Sequence, residues 1–120
     1  MAKDEHLALL RGGASGWNAW RAGRDATPDL SRAGLRGVDL SGFDLSQTDL
    51  RGADLREARL GGAFLVGASL RAADLRGGYL RLTRLDGADL SDANLEDPEG
   101  LTQSQLERAH LSVGTKLPMV

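Results

Sequence analysis

The dominant pattern along the chain is a leucine at every fifth position, which runs unbroken from Leu30 to Leu95 and comprises fourteen leucines. On an α-helix a five-residue step advances by about 140°, so the leucines would spread around the whole circumference. On a flat strand an odd period would send successive leucines to opposite faces. A chain that turns in the same sense once per pentad can point every leucine inward. The pattern therefore predicts a solenoid of stacked coils.

The residues around each leucine fit such a turn. The residue two positions earlier is alanine in eight of the fourteen pentads. Glycine recurs two positions after the leucine, where a turn can require a positive φ. The spacing by itself leaves open whether three or four sides close one coil. The predicted core consists of the leucines of the middle coils: Leu45, Leu50, Leu55, Leu60, Leu65, Leu70, Leu75 and Leu80.

Four pentads share the same sequence pattern: Ala53–Glu57, Ala73–Gly77, Ala88–Asp92 and Ala93–Asp97. With these repeats the chain resembles the pentapeptide-repeat family, whose pattern is A(D/N)LXX. The resemblance implies an all-β solenoid, a right-handed quadrilateral parallel β-helix with four pentads per coil. Fourteen pentads would then make about three and a half coils, with short α-helical caps at both ends.

A short solenoid has two open ends whose strand edges and core would otherwise be exposed. We therefore expect three segments. Residues 1–27 form an N-terminal helical cap, residues 28–97 form the pentapeptide-repeat β-helix, and residues 98–120 form a C-terminal capping helix and tail.

The N-terminal cap is predicted to contain two short helices, one over residues 3–11 and a second with Ser15 as its N-cap. Trp17 and Trp20 are three residues apart and would share one helix face. We expect these tryptophans to close the N-terminal mouth of the coil; the alternative is a binding hot spot for a partner.

The C-terminal cap is predicted from a capping box. Thr102 and Gln105 have the required spacing, and Leu101 with Leu106 fits a hydrophobic staple around them. Gly114 and Pro118 indicate a non-helical tail after this helix.

Composition narrows the functional classes. The absence of cysteine excludes disulfides and cysteine-type zinc sites. A formal net charge of −2 does not favour direct nucleic-acid binding. The apolar stretches are only a few residues long, so we expect no membrane span. We expect a cytoplasmic protein, and our leading hypothesis places it in a bacterium.

The sequence contains no recognisable set of catalytic residues. The two histidines, His6 and His110, lie at opposite ends of the chain, and we expect both on helix surfaces. Phosphate-loop and nucleophile-elbow motifs are absent from the sequence. The sequence therefore predicts no catalytic residues, no metal and no cofactor, and the protein is expected not to be an enzyme.

Two parts of the outer surface are candidates for contact with a partner protein. If residues twenty apart stack, Arg36, Arg56 and Arg76 form one column, which either docks an acidic partner or is neutralised by neighbouring aspartates. The second candidate is a small apolar patch, which is either a protein contact or scattered surface groups. Its members are Phe64, Val66, Tyr79 and Leu82.

The leading hypothesis is a non-catalytic protein-interaction scaffold, with an unknown protein partner, that is a monomer or a weak homodimer. The alternative comes from the family resemblance. Some members mimic DNA, bind type II topoisomerases such as gyrase and protect against quinolones. Residues 28–97 contain 12 acidic and 9 basic residues, a net charge of −3, and their arginines interrupt the acidic columns.

Overall fold

The computed structural model describes residues 2–24 and 27–118. It contains three helices: α1 (Asp4–Arg11), α2 (Ala14–Arg21) and α3 (Gln103–Glu107). Between α2 and α3 the chain pairs with itself in parallel, and within the described residues this pairing consists of single-residue bridges. Each straight segment is short because the chain turns a corner in every pentad.

The bridges fix the number of sides. They join residues twenty positions apart, from Asp29 with Asp49 to Tyr79 with Glu99. One coil therefore holds four pentads, which decides the question that the five-residue spacing left open. The bridge residues define side 1 (Asp29, Asp49, Ser69, Asp89), side 2 (Gly34, Asp54, Asp74, Asn94), side 3 (Asp39, Arg59, Tyr79, Glu99) and side 4 (Asp44, Phe64, Arg84).

The fifth-residue leucines form the core. None of the fourteen is more than 3% exposed. Leucines twenty residues apart lie above one another in successive coils, because backbone hydrogen bonds such as Leu65 N–H to Arg84 O (2.8 Å) hold the coils in register. The alanines two positions earlier are buried beside them and leave room for the leucine side chains.

The turn after each leucine has a left-handed backbone, as the glycine pattern predicted. Glycines occupy this position at seven corners with φ between 65° and 72°. Other residues adopt the same conformation at the remaining seven corners, where φ lies between 53° and 62°. These are Arg32, Gln47, Glu57, Ala72, Leu82, Asp92 and Asp97.

Where the residue before the leucine is an aspartate or an asparagine, it stabilises the same turn. In eight pentads its Oδ1 accepts a hydrogen bond of 3.0–3.2 Å from the backbone N–H two residues later. This Asx geometry explains why aspartate and asparagine recur at this place in the repeat. This local role was not predicted from the sequence.

Helix α2 packs against the N-terminal end of the coil. Trp17 has 0% exposure, and its ring centroid lies 5.2 Å from that of Trp20 and 6.2 Å from that of Phe43. The expectation that Ser15 caps this helix is wrong. Gly13 is the N-cap residue, and Ser15 lies inside the first turn.

Helix α1 pairs with the exposed edge of side 1. The Lys3 N–H donates to Asp29 O (3.0 Å), and His6 Nδ1 accepts from the Asp29 N–H (2.8 Å). These are the two hydrogen bonds that a preceding coil would make. The expectation that His6 lies on a helix surface is therefore wrong, because it is only 8% exposed.

Helix α2 supplies the corresponding hydrogen bonds to the first segment of side 4, at Asp44. Trp17 Nε1 donates to Asp44 O (2.7 Å), and Asn18 Oδ1 accepts from the Asp44 N–H (2.8 Å). The buried Arg21 adds hydrogen bonds of 3.3 Å to Asp44 O and to Thr48 Oγ1. Side chains thus replace backbone partners where the ladder begins.

At the other end, the predicted capping box is confirmed. The Thr102 side chain accepts from the Gln105 N–H, and the Gln105 side chain accepts from the Thr102 N–H. Gln105 Nε2 also donates to Leu80 O (2.7 Å) and Thr83 O (2.9 Å) of the last full coil. Leu106 packs against the core.

The chain after α3 rejoins the ladder, which the sequence did not predict. His110 bridges to Asp89 on side 1 and Lys116 bridges to Asn94 on side 2. The separations are now 21 and 22 residues because α3 lies in between. His110 is therefore a ladder residue rather than the helix residue expected from the sequence.

Candidate protein-contact surfaces

The arginine column forms at the corner between sides 2 and 3, and every member of it is paired. Arg56 and Arg76 lie 2.7 Å from the aspartates two residues before them. Arg36 lies 2.7 Å from Glu57 of the next coil. The column is therefore neutralised by carboxylates, and little of its positive charge is left for an acidic partner.

These pairs hold the carboxylates in the charged form. Hydrogen bonds from the Arg56 side chain lower the pKa of Asp54 to about 2. The Arg76 side chain lowers the pKa of Asp74 in the same way. Asp54 and Asp74 therefore carry their negative charge at neutral pH.

The contribution of these ion pairs to the stability of the fold can be tested by unfolding the protein at acidic pH. Since the pKa of Asp54 is about 2 in the folded protein and 3.8 ordinarily, ionisation stabilises the fold above about pH 4 and this contribution disappears towards pH 2. We expect the urea midpoint of the wild type to fall over that interval, and that of Asp54→Asn to fall less.

The matched control is Asp97→Asn, because Asp97 makes no ion pair with any described residue. Its acid dependence should equal that of the wild type. If Asp54→Asn loses as much stability between about pH 4 and pH 2 as the wild type does, the ion pair has no role in stability.

The apolar patch surrounds the next corner, between sides 3 and 4. Tyr79 lies on side 3 and is 42% exposed, Phe64 lies on side 4 and is 44% exposed, and Leu82 lies at the corner between them and is 73% exposed. Val66 is half-buried at the following corner. The structure thus places the predicted patch residues around one part of the surface.

A groove adjoins this patch. It has a volume of about 710 Å³ and lies between the last segment of side 4 and the residues around α3. We call it the side-4 groove; its walls include residues 81–86 on one side and Thr102, Ser104, Gln105 and Arg108 on the other. The sequence did not predict this groove, because the insertion of α3 into the fourth coil cannot be read from the pentad spacing.

The C-terminal end of the coil exposes part of the core column. Leu111 and Leu117 follow the bridge residues His110 and Lys116, in the positions that inward leucines occupy in earlier coils. They are 41% and 47% exposed, because no described residue continues the coil above them. Together with α3 they line a second groove of about 630 Å³.

Neither a metal centre nor a transmembrane helix is found in residues 2–24 and 27–118. No three histidine, aspartate or glutamate side chains in these ranges could hold a metal ion. None of the helices there has the length and hydropathy to cross a membrane.

A coil of twenty residues with leucine and alanine inside and Asx turns at its corners defines a quadrilateral β-helix. Comparison of the sequence with protein families finds eight copies of pentapeptide repeats over residues 29–65 and 63–97. The chain belongs to the pentapeptide-repeat family. No significant match was found among curated proteins.

Solved structures similar to this chain are also pentapeptide-repeat proteins. Rfr23 from the cyanobacterium Cyanothece 51142 has 27% identity and a TM-score of 0.64, over 79% of this chain and 67% of its own. A protein of the Arabidopsis thaliana thylakoid lumen has 34% identity and a TM-score of 0.47, over 68% and 59%. QnrB1, a plasmid-mediated fluoroquinolone resistance protein, has 21% identity and a TM-score of 0.46, over 74% and 59%.

The match to Rfr23 supports the β-helical fold of this chain. The chain spans about three fifths of the length of the other two proteins. No enzyme family is indicated by any of these comparisons.

Proposed function

We propose that the protein is a non-catalytic scaffold that binds a partner protein through the corner between sides 3 and 4. The observation that supports this is the uneven distribution of exposed apolar groups. Among residues 28–97, the large exposed apolar residues are Phe64, Tyr79 and Leu82, and all lie around this corner. The other large exposed apolar residues among those described lie beyond α3, at the C-terminal end: Leu111, Val113 and Leu117. Apolar side chains gathered at one place on a polar surface are typical of a protein contact.

The arginine column is a weaker candidate for this contact. Its guanidinium groups are already bonded to carboxylates on the same surface, so an acidic partner would have to displace them. Exposed ion pairs of this kind contribute little free energy, and exchanging one pair for another gains little. The apolar corner, in contrast, gains free energy when it is covered.

The proposal also covers the number of coils and the role of the terminal helices. The array would comprise about three and a half coils, and the terminal helices would act as its caps. We place the scaffold in a bacterial cytoplasm, in line with the sequence. Because one neighbouring protein comes from a plant thylakoid lumen, cell fractionation is the measurement that decides the compartment.

The alternative, duplex mimicry that targets gyrase, has less support. A mimic needs a continuous negative surface. Here Arg51 and Arg56 lie 2.8 Å and 2.7 Å from carboxylates of the acidic columns. Purified gyrase should therefore supercoil DNA at the same rate with and without this protein. Inhibition at micromolar concentration would favour the alternative.

The scaffold proposal is tested by quantitative affinity capture from the native host. We compare the wild type with two double variants, Phe64→Ser/Leu82→Ser and Arg56→Glu/Arg76→Glu. We expect one partner to be retained by the wild type and by the arginine variant, and lost from the apolar variant. Phe64, Leu82 and Arg76 are exposed and Arg56 is half-buried, and thermal unfolding should confirm that each variant still folds.

If the partner is lost from the arginine variant alone, the contact lies on the arginine column and our placement is wrong. Retention of the partner by both variants would exclude both surfaces.

A further inference from the structure

The backbone ladder is interrupted on side 4. In the earlier coils, the N–H groups of Leu45 and Leu65 donate to Phe64 O and Arg84 O of the next coil, both at 2.8 Å. The equivalent N–H of Leu85 has no acceptor among the described residues. Helix α3 occupies the position in the chain where that coil would continue, and none of its backbone carbonyls accepts a hydrogen bond from the Leu85 N–H.

The corner before this segment shows the same gap. The Gly62 N–H donates to Arg81 O (3.0 Å), whereas the corresponding Leu82 N–H finds no acceptor among the described residues. Pairing resumes immediately afterwards, where the Gly87 N–H donates to Arg108 O (2.8 Å). The open edge is therefore short and is bounded at both ends by intact pairing.

The unused hydrogen-bonding groups at this edge are donors. The nearby acceptors, Leu80 O and Thr83 O, are already bonded to Gln105 Nε2. The N–H groups of Leu82 and Leu85 point towards the missing coil, as their equivalents do throughout the ladder. Such an edge is suited to a group that supplies carbonyl or carboxylate oxygens.

The charge of the side-4 groove also favours a ligand with carboxylate oxygens. Three arginines, Arg81, Arg84 and Arg108, line it together with one acidic residue, Asp86. Asp86 lies 3.5 Å from Arg84 and 3.3 Å from Arg108, whereas Arg81 makes no ion pair with a described residue. The groove thus carries an excess of positive charge in a protein whose formal net charge is −2.

Leu82 is the apolar feature of the groove, and the fold does not account for it. Its φ is 62°, a conformation that is unfavourable for a branched side chain, and glycine occupies the equivalent corner one coil earlier, at Gly62. Its side chain is nevertheless 73% exposed. Leucine here is worse for the isolated molecule than glycine, both in backbone strain and in exposed apolar surface.

We propose that the side-4 groove binds an extended acidic segment of a partner protein, which adds a strand to the open edge. Its backbone oxygens would accept from the N–H groups of Leu82 and Leu85. Its carboxylates would pair with Arg81 and Arg84, and an apolar side chain would cover Leu82. This inference rests on the proposed scaffold function and specifies the chemistry of the partner.

The test measures the binding of defined peptides to the full chain by fluorescence anisotropy. One fluorescein-labelled octapeptide alternates glutamate and valine, and the other alternates lysine and valine. We expect saturable binding of the glutamate peptide, at least about tenfold tighter than that of the lysine peptide and weaker at high salt. Absence of saturable binding, or equal affinity for both peptides, would overturn the proposal.

The matched charge variants are Arg81→Glu and Arg71→Glu. Both arginines lie at the first position after an inward leucine, on opposite corners of the coil, and neither makes an ion pair with a described residue. We expect Arg81→Glu to weaken binding of the glutamate peptide by about tenfold or more, and Arg71→Glu to change it by less than about twofold. Equal losses would reveal a nonspecific charge effect and refute the site.

A second variant separates binding from stability. Leu82→Gly should unfold at the same temperature as the wild type or higher, because it relieves the positive φ, yet it should bind the glutamate peptide more weakly. Amide hydrogen exchange at Leu82 and Leu85 should slow when the peptide binds. Unchanged exchange at both amides would exclude strand addition.

The outcomes distinguish this inference from the proposed function. If the host partner depends on Phe64 and Leu82 but the glutamate peptide does not bind, the scaffold proposal stands and the acidic-strand proposal fails. If the peptide binds at Arg81 but no host partner depends on Phe64 and Leu82, the groove is a binding site and the apolar corner is not.

Discussion

Replacement of Trp17 with alanine is expected to lower the free energy of unfolding by roughly 3–5 kcal/mol, the usual cost of removing a fully buried tryptophan. Trp17 has 0% exposure at the mouth of the coil. Its loss would leave a cavity beside Phe43 and would remove the donor that bonds to Asp44 O at 2.7 Å. Urea unfolding followed by circular dichroism measures this change.

Trp20→Ala is the matched control, since it removes the same side chain from the same helix three residues later. Trp20 is only half-buried, so its loss should cost clearly less than the loss of Trp17. If the two variants are equally stable, the N-terminal mouth is not closed by Trp17.

Deletion of residues 1–24 extends the same test. The deletion removes the partners of both Asp29 and Asp44 and uncovers the first leucines of the core. We expect the shortened chain to aggregate or to unfold at a markedly lower temperature, because an open parallel edge and an exposed core are both unfavourable in water. Unchanged melting would contradict the capping role of the N-terminal helices.

The second large effect is expected for Leu65→Ala, which should destabilise the protein by about 2–5 kcal/mol. Leu65 has 0% exposure in a middle coil, with leucines stacked above and below it on side 4. Because the coil register is fixed by hydrogen bonds, the surrounding backbone cannot move in to fill the cavity. Chemical denaturation with a linear extrapolation gives the value.

Leu82→Ala is the control for this substitution, because it makes the same chemical change on the same part of the coil at a residue that is 73% exposed. It should change the free energy of unfolding by no more than about 0.5 kcal/mol. If Leu65→Ala were as mild as Leu82→Ala, the inward leucines would not be the source of stability.

Much of the fold was predictable because its signal is local and repeated. The five-residue leucine period excludes ordinary helices and strands, and the glycines after the leucines match corners with φ between 65° and 72°. The capping box at Thr102 and Gln105 was also readable, because it depends on neighbours within a single turn.

The candidate sites were predictable only in part. The sequence placed Arg56 and Arg76 in one column, but it could not show that each is bonded to its own aspartate at 2.7 Å. The roles of His6 and Gln105 were missed, because both act on backbone atoms more than twenty residues away. No periodic signal marks such contacts.

The sequence by itself determined which residues lie inside, because a leucine in every pentad can be buried only by a chain that turns at every pentad. The tertiary structure decided how the ladder ends, and with it the side-4 groove and the open leucines at the C-terminal end. The physical reason is that the pattern of buried residues repeats in every pentad, so it is visible in the sequence. The ends, in contrast, depend on which distant groups meet the unpaired N–H and C=O groups, and this is settled only when the coils are stacked.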